Sequence, residues 1–188
     1  MVRAFRSVVG FDDSPFTRAQ RGDIQIIGTV YTGLRLDGII SGHIRKDGAN
    51  ATDKLALLIQ DSKFALQIKL VMLQGIALGG FNVVDIQGLQ RKLGIPVLVI
   101  ARRAPDLRAI KAALLSKVTG GAHKWRLIER AGQMEPVAGV YVQRAGLTLR
   151  EATKVIEQFA IIGRIPEPLR AAHLIASGVG EGQSRGRA

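Results

Sequence analysis

Two adjacent carboxylates follow a short apolar segment near the start of the chain. The segment Val8-Val9-Gly10-Phe11 runs directly into Asp12 and Asp13, and Pro15 then prevents the strand from continuing as a regular ladder. Two acidic side chains at the mouth of a buried strand are costly to hold unless a cation lies beside them. Magnesium is bound through oxygen ligands of this type. The pair therefore indicates a metal site, and a solvated Asp-Asp-Ser-Pro turn is the alternative.

Five more polar residues, distant in sequence, fall where folding would bring them near this pair. Carboxylates at separate strand ends can hold a metal ion that activates water and offsets phosphate charge. Arginine can hold a phosphate through two hydrogen bonds, and histidine can transfer protons near neutral pH or bind a metal. Each residue also has a plainer role, as a turn residue, a solvated strand end or a helix-packing side chain. The five are Asp47, Gln74, Arg102, Arg103 and His173.

Glycines and aromatic residues near these points suggest contacts with a nucleic acid. Gly75, Gly79 and Gly80 precede a predicted helix, and their backbone N–H groups could approach a phosphate there. Turn geometry is the simpler explanation for all three glycines. Phe16 or Phe81 could stack on an exposed base, with core or loop packing as the alternative.

The elements that must position these residues begin with three strands. Residues 4–11, 23–32 and 36–46 are rich in β-branched side chains and are joined by short connections. This pattern predicts an antiparallel meander. Asn50 and Asp53, three residues apart, then predict the capped start of a helix.

The rest of the chain alternates further strands and helices. Strand, helix and strand in the middle of the chain predict a parallel, right-handed crossover. Thr148 and Glu151 form a capping-box pattern, and a Gly/Arg/Ser composition predicts a terminal tail that buries little. The expected segments are strands at 69–73, 95–100 and 137–143, helices at 82–93, 106–117, 123–131, 148–158 and 166–175, and the tail at 179–188.

The order β-β-β-α-β-α-β-α is typical of an RNase H-like α/β fold, a mixed five-stranded sheet flanked by helices. A length of 188 residues suits a single domain, 1–188, with a substantial core. In an open sheet of this type the site lies at the carboxyl ends of neighbouring parallel strands. Asp12 and Gln74 end two such strands, so we expect them to lie close together.

The charge balance indicates a polyanionic partner. The chain has 27 Lys and Arg against 15 Asp and Glu, and this net charge of +12 favours nucleic acid over an anionic membrane surface. The absence of cysteine excludes thiol catalysis, Cys-ligated zinc and disulfides, as expected for a cytoplasmic protein. No apolar run is long enough to span a membrane. Gly-rich phosphate and dinucleotide motifs are missing, so we expect no small-molecule cofactor.

Four stretches resemble an archaeal-type family of formerly unknown function that is associated with deoxyuridine endonuclease (endonuclease dU). The resemblance spans nearly the whole chain and implies a metal-dependent DNA endonuclease. The stretches are GFDDSPF at 10–16, GGFNVVD at 79–85, PEPLRAAH at 166–173, which includes Arg170, and SRGRA at 184–188.

More distantly, the chain is similar to endonuclease V. This second resemblance implies that Asp12 binds the metal and that Asp47 supplies another acid. It also implies that Arg102 holds phosphate and that His173 binds the metal or transfers a proton.

Two departures from endonuclease V limit what can be transferred. That enzyme has an aspartate where this chain has Gln74, and a glutamine offers the metal a neutral oxygen instead of a charged one. Asp13 is the candidate for the missing charge. The turn at residues 31–34 is too short to act as the wedge that endonuclease V uses beside a lesion, so its lesion choice does not transfer.

The leading hypothesis is a Mg²⁺- or Mn²⁺-dependent endonuclease that nicks DNA near a deaminated base, with uracil implied by the nearer resemblance. The alternative is a non-catalytic protein that binds DNA or RNA through a weakened metal site, and a third possibility is a basic scaffold acting through a protein partner. The expected metal ligands are Asp12, Asp13, Asp47 and Gln74, with His173 in proton transfer, and the expected nucleic-acid contacts are Arg102, Arg103, Arg170, Phe16, Gly75, Gly79 and Gly80.

Overall fold

The computed structural model describes residues 3–184, so part of the predicted tail, residues 185–188, lies outside the described residues. The strands are β1 (Ser7–Asp13), β2 (Asp23–Thr32), β3 (Arg35–Arg45), β4 (Val71–Gln74), β5 (Ala77–Leu78), β6 (Asn82–Val83), β7 (Val97–Ala101), β8 (Glu135–Val137) and β9 (Val140–Ala145). The helices are α1 (Ala51–Gln60), α2 (Ile86–Leu93), α3 (Leu107–Lys117), α4 (Gly121–Ala131), α5 (Leu149–Phe159) and α6 (Glu167–Glu181).

The central sheet has seven strands in the part of the chain that the structure describes, in the order β3-β2-β1-β4-β7-β9-β8. The prediction of five strands was therefore wrong in number, although the first five in this order are the predicted strands and give the RNase H-like arrangement. The difference arises at residues 135–145, which form a hairpin instead of one strand. Ala138 and Gly139 turn the chain with positive φ, and β9 then adds antiparallel to β7. The strands β5 and β6 form a separate small hairpin.

The first strand lies in the interior of this sheet, between β2 and β4, and is buried on both faces. It pairs antiparallel with β2 and parallel with β4, where Phe11 is level with Leu73. Side chains of a strand alternate between the two faces of its sheet. Val9 and Phe11 pack on the face covered by α1 and α2, and Val8 packs on the face covered by α5 and α6. We call these the α1 face and the α6 face.

The last helix lies directly on β1. A Cβ atom added to Gly10 would be 2.6 Å from the backbone carbonyl carbon of Pro168, so glycine permits this close approach. Thr29 of β2 donates a hydrogen bond of 2.6 Å to the carbonyl oxygen of Pro168. Leu169, fully buried, joins the apolar cluster on the α6 face. These contacts set where the later residues of α6 meet the end of β1.

The helix boundaries follow the available caps. The predicted capping box of Thr148 and Glu151 is formed at the start of α5. Asn50 does not cap α1 through its side chain, because its Oδ1 accepts hydrogen bonds from Arg45 N and Asn82 Nδ2. The last helix continues to Glu181, so positions 179–181 of the predicted tail are helical. None of the helices in residues 3–184 combines the length and apolar character needed to cross a membrane.

Candidate active site

Asp12 and His173 form a hydrogen-bonded pair at the carboxyl end of β1. Asp12 is only 6% exposed, and its Oδ2 lies 2.8 Å from Nδ1 of His173. Its Oδ1 accepts a 3.0 Å hydrogen bond from the backbone N–H of Asp13. When Nδ1 carries the proton it donates to the carboxylate, and Nε2 is left with a lone pair. The structure thus brings together two of the predicted site residues, which lie 161 positions apart.

Asp13 contacts a different part of the molecule. Its Oδ2 accepts a hydrogen bond from the backbone N–H of Gly79, in the turn between β5 and β6. This turn lies on the α1 face, where Leu78 joins the apolar cluster. Because side chains alternate along a strand, the two neighbouring acids point to opposite faces of the sheet. Asp13 is therefore near Asp12 without sharing its contacts.

Burial of the two carboxylates raises the pKa of both. The pKa of Asp12 rises to about 6, first because burial disfavours its charge and second because the charge of Asp13 is near, while His173 opposes the rise. Burial also raises the pKa of Asp13, against the hydrogen bond from Gly79. A cation at this strand end would lower both pKa values.

Gln74 supplies an oxygen atom beside Asp12. Leu73 pairs with Phe11, so Gln74 is level with Asp12 and, two residues after Met72, points to the same α6 face. Its Oε1 is buried and has no hydrogen-bond partner among the described residues. A buried carbonyl oxygen without a partner is costly, and a bound cation would satisfy it.

The donors on the α6 face fit a divalent cation only in part. The Asp12 carboxylate, the Gln74 oxygen and the His173 imidazole are ligands that Mg²⁺ or Mn²⁺ accepts, and the unpaired oxygen of Gln74 fits such an ion. Within residues 3–184, however, no three histidine or acidic side chains are grouped in a way that could hold a metal. One charged oxygen ligand, one neutral oxygen and one nitrogen therefore make a smaller ligand set than the one the sequence predicts.

Asp47 holds the turn that binds Asp13. Its backbone N–H donates a 2.9 Å hydrogen bond to Gly79 O, and its Oδ1 accepts a 2.7 Å hydrogen bond from Phe81 N. A Cβ atom at Gly80 would collide with this Oδ1. The carboxylate of Asp47 is thus engaged by the turn on the α1 face, away from the contacts of Asp12.

Two lysines that the sequence analysis did not single out hold backbone segments near the two acids. Lys124 of α4 is only 3% exposed and donates a hydrogen bond to the carbonyl oxygen of Asp47. Burial lowers its pKa, and the charge of Asp47 opposes that shift. Its position three and four residues before Leu127 and Ile128, on the buried face of α4, was the available signal.

Lys46 is the second missed lysine. Its Nζ donates hydrogen bonds to the carbonyl oxygens of Thr17, Arg18 and Gln20, at 3.1, 2.7 and 3.0 Å. The same ammonium lies 5.6 Å from the centre of the Phe16 ring, an attractive cation–π geometry. Lys46 therefore fastens the exposed loop that follows the two acids, and Phe16 lies under it.

The predicted phosphate-binding arginines line a cavity of about 650 Å³. Arg102 and Arg103 are exposed and carry no ion pair among the described residues, whereas Arg170 is paired with Glu167 at 2.8 Å. Leu174 lines the cavity next to His173 in sequence, so the cavity adjoins the Asp12–His173 pair. Its remaining walls combine charge and apolar surface, from Gly139, Val140, Ile162, Gly163, Arg164 and Ile165.

The predicted glycines serve the turns. Gly75, Gly79 and Gly80 all have positive φ, as tight turns require. The N–H of Gly75 donates to Ile100 O and that of Gly79 to Asp13, so both donors are occupied within the protein. The sequence left open whether these glycines bind a phosphate or form turns, and the N–H groups of Gly75 and Gly79 are used by the turns.

The protein family and the relatives that match this chain do so over nearly its full length. A family model described as endonuclease dU matches residues 4–180. A UPF0215 protein of Deinococcus radiodurans is 58% identical over 179 residues, which cover 95% of this chain and 91% of that protein.

Solved structures share the fold. The crystal structure of a protein of unknown function from Archaeoglobus fulgidus has a TM-score of 0.87 at 39% identity and covers 94% of this chain and 99% of its own. Endonuclease V of Ciona intestinalis, solved with a 24mer DNA containing an inosine followed by a ribo-adenosine, has a TM-score of 0.57 at 13% identity. That match covers 89% of this chain and 83% of the other, and at this identity it indicates a common fold alone.

Proposed function

Because this chain belongs to the endonuclease dU family, we propose that it is a metal-dependent endonuclease that nicks DNA near a deaminated base. The family name points to uracil as that base. The observation that carries the proposal is the buried Asp12–His173 pair beside the unpaired oxygen of Gln74. A desolvated carboxylate, a histidine and an orphaned oxygen at one strand end suit phosphodiester hydrolysis better than a structural role.

Each residue has a proposed part in the reaction. Asp12 and Gln74 would hold a Mg²⁺ or Mn²⁺ ion, and that ion, when bound, polarises the phosphate and lowers the pKa of a water. Asp12 also fixes the His173 ring through Nδ1, so that Nε2 can accept a proton from the attacking water or give one to the leaving oxygen. The exposed Arg102 and Arg103 would hold the phosphate from the adjoining cavity.

The two acids on the α1 face contribute differently. The charge of Asp13 is close enough to raise the pKa of Asp12, so it also favours a cation at the strand end without touching it. Asp47 would act by holding the turn at Gly79 to Phe81 through its backbone and side chain. Direct metal binding by Asp13 or Asp47 stays a prediction from the sequence.

The decisive experiment compares cleavage and metal binding in the same proteins. Labelled duplexes with one uracil or one thymine are incubated with the wild type, Asp12→Asn and the control Asp61→Asn, which changes an exposed carboxylate, in EDTA, Mg²⁺ or Mn²⁺. We expect metal-dependent nicking of the uracil duplex, slowed by Asp12→Asn by roughly 100-fold or more, since even the outer partners of metal ligands contribute about 10- to 100-fold.

Mn²⁺ should raise the Tm of the wild type and of Asp61→Asn but not of Asp12→Asn. Equal nicking by Asp12→Asn would contradict the proposal.

One observation favours a second candidate, a non-catalytic nucleic-acid-binding protein. Gln74 replaces a charged ligand, and the described residues hold no group of three histidine or acidic side chains suited to a metal. This protein would bind nucleic acid in a salt-dependent way without turnover. If the wild type is inactive while Gln74→Asp nicks DNA in Mg²⁺, the second candidate is correct.

A further inference from the structure

Half of the net positive charge of the molecule is concentrated in one segment that contains two helices. Residues 102–131 contain eight Lys and Arg against two Asp and Glu, a net +6 out of the +12 of the whole chain. This segment comprises the strand exit after β7 and the two helices α3 and α4. We call α3 and α4 together the basic arm. Of these cations, the site described above uses Arg102 and Arg103 for the phosphate and Lys124 for the turn at Asp47.

Four exposed cations of the arm have no acidic partner in the part of the chain that the structure describes, whereas Arg130 of α4 is paired with Asp85 at 3.1 Å. Arg108, Lys111, Lys117 and Arg126 are all exposed, and none forms an ion pair there. Lys111 lies 5.1 Å from the centre of the Trp125 ring, which leaves its charge uncompensated. Such a surface repels itself and attracts polyanions.

Both acids of the segment are already engaged. Asp106 caps α3 by accepting hydrogen bonds from Arg108 N and Ala109 N. Glu129 accepts a 2.6 Å hydrogen bond from Trp125 Nε1. Neither acid forms an ion pair with the four exposed cations, and eight cations against two acids leave the segment with a net positive potential.

The arm packs mainly on a small apolar cluster of its own, and only its end, at Ala131, also packs against the main core. Only Leu114 of α3 is fully buried, in a small cluster with Val83, Leu127 and Ile128. Phe81 packs partly against the same cluster, and its N–H binds Asp47. The arm thus begins at the carboxyl end of β7 and rests on the turn that contacts the two acids of the α1 face.

We propose that the basic arm binds the phosphate backbone of the DNA that flanks the cleaved position. The identity of the polyanion as DNA rests on the proposed function. Arg108 and Lys111, three residues apart, lie on one side of α3 and are separated by about 4.5 Å along its axis at about 1.5 Å per residue, close to the phosphate step of about 3.4 Å along one strand. Contacts of this type fix position without reading sequence, so the arm binds uracil-containing and normal duplexes alike.

The test measures binding of metal-free protein to a short duplex by fluorescence anisotropy over a range of salt concentrations. The arm variant carries Arg108→Gln, Lys111→Gln, Lys117→Gln and Arg126→Gln. The control carries Arg150→Gln and Lys154→Gln, two exposed cations of α5 that form no ion pair among the described residues. A second arm variant with Lys111→Gln and Arg126→Gln matches the charge change of the control. Circular dichroism verifies that each variant is folded.

Each lost phosphate contact lowers the slope of log K against log salt by about 0.9. We expect slopes smaller by about 1.8 for the double arm variant and about 3.6 for the fourfold variant, with weaker binding to both duplexes. If the slope of the double arm variant equals that of the α5 control, the proposal that the arm binds the phosphate backbone is wrong. Nicking is scored separately: wild type that binds through the arm but never nicks contradicts the proposed function and leaves the arm standing.

Discussion

Asp12 is buried with a raised pKa, and its ionisation therefore lowers the free energy of unfolding by an amount that depends on pH. The folded state binds the Asp12 proton more tightly than the unfolded state, whose pKa is near 3.8, because the folded pKa is about 6. The unfolded state therefore holds fewer protons between these values, and stability falls as pH rises from about 4 to about 6. Above that window the full cost, about 3 kcal/mol, persists.

We therefore predict that Asp12→Asn stabilises the metal-free protein at pH 7 to 8. The amide is neutral at every pH and can still accept a hydrogen bond from Nδ1 of His173. The gain should be about 3 kcal/mol at pH 7 and should fall to about 0.5 kcal/mol at pH 4, where the folded carboxyl is protonated and the unfolded one is near its pKa. Urea unfolding in EDTA across this range measures it. Asp61→Asn is the control, and a gain that is equal at pH 4 and pH 7 would rule out the electrostatic explanation.

At the scale of residues, the sequence singled out several positions that the fold brings together, but it did not predict their contacts. Asp12 and His173 were recognisable as candidates, and the strand register indicated that Gln74 would lie beside Asp12. That Asp13 binds Gly79 could not be foreseen, because it depends on where a two-residue hairpin packs. Lys124 is one of 27 Lys and Arg residues, and only its helical spacing from Leu127 and Ile128 indicates that it is buried.

Among the elements, α6 determines the geometry of the candidate site through its contact with β1. We predict that Gly10→Ala displaces the helix, because the added Cβ would lie 2.6 Å from the backbone of Pro168. Overpacking of this kind costs about 1–3 kcal/mol, and the displacement should also separate His173 from Asp12. Urea unfolding measures the loss of stability, and nicking measures the loss of alignment.

A matched control lies on the same helix. A Cβ atom at Gly178 would have no neighbour closer than 3.9 Å, so Gly178→Ala is free of collision. It should stabilise α6 by about 0.5–1 kcal/mol through the better helix propensity of alanine. If both alanine variants behave alike, the close contact at Gly10 does not position the helix.

The loop after the two acids is held by one side chain. We predict that Lys46→Ala releases residues 17–20, because it removes three hydrogen bonds to their carbonyl oxygens. The exposed Arg18 and Arg21 should then be cut faster by trypsin, since proteolysis follows local opening. Mass spectrometry of timed digests measures the cleavage. Lys54→Ala, on the exposed side of α1, is the control, and equal cleavage in both variants would contradict this role for Lys46.

Element boundaries were predictable where a local cap decides them and not where distant residues intervene. The capping box of α5 involves residues three positions apart, so the sequence alone identifies it. At the start of α1 the same local pattern is overridden, because Asn82 draws the Asn50 side chain into a different hydrogen bond. The hairpin of β8 and β9 was predicted as one strand because its turn, at Ala138 and Gly139, is only two residues long.

At the scale of the whole molecule, the fold class followed from the order of elements and the long-range pairing did not. Three strands, a helix and a crossover already specify the five central strands. The two additional strands extend the sheet beyond β7, and the antiparallel entry of β9 depends on contacts made after the chain has passed through α3 and α4. The net charge predicted an anionic partner, but only the structure distinguishes the exposed, unpaired cations of α3 and α4 from Arg130, which is paired with Asp85.

The opposite directions of Asp12 and Asp13 have a consequence for how such a protein can diverge. The two acids are adjacent in sequence, yet one is bound by α6 and the other by the turn between β5 and β6. Substitutions on the α6 side can therefore alter the reaction chemistry while the turn and the helices behind it are retained. Substitutions on the turn side can change the grip on the substrate while the histidine pair is inherited intact. The end of β1 thus joins two sets of contacts that involve different elements, although the charges of the two acids still act on each other.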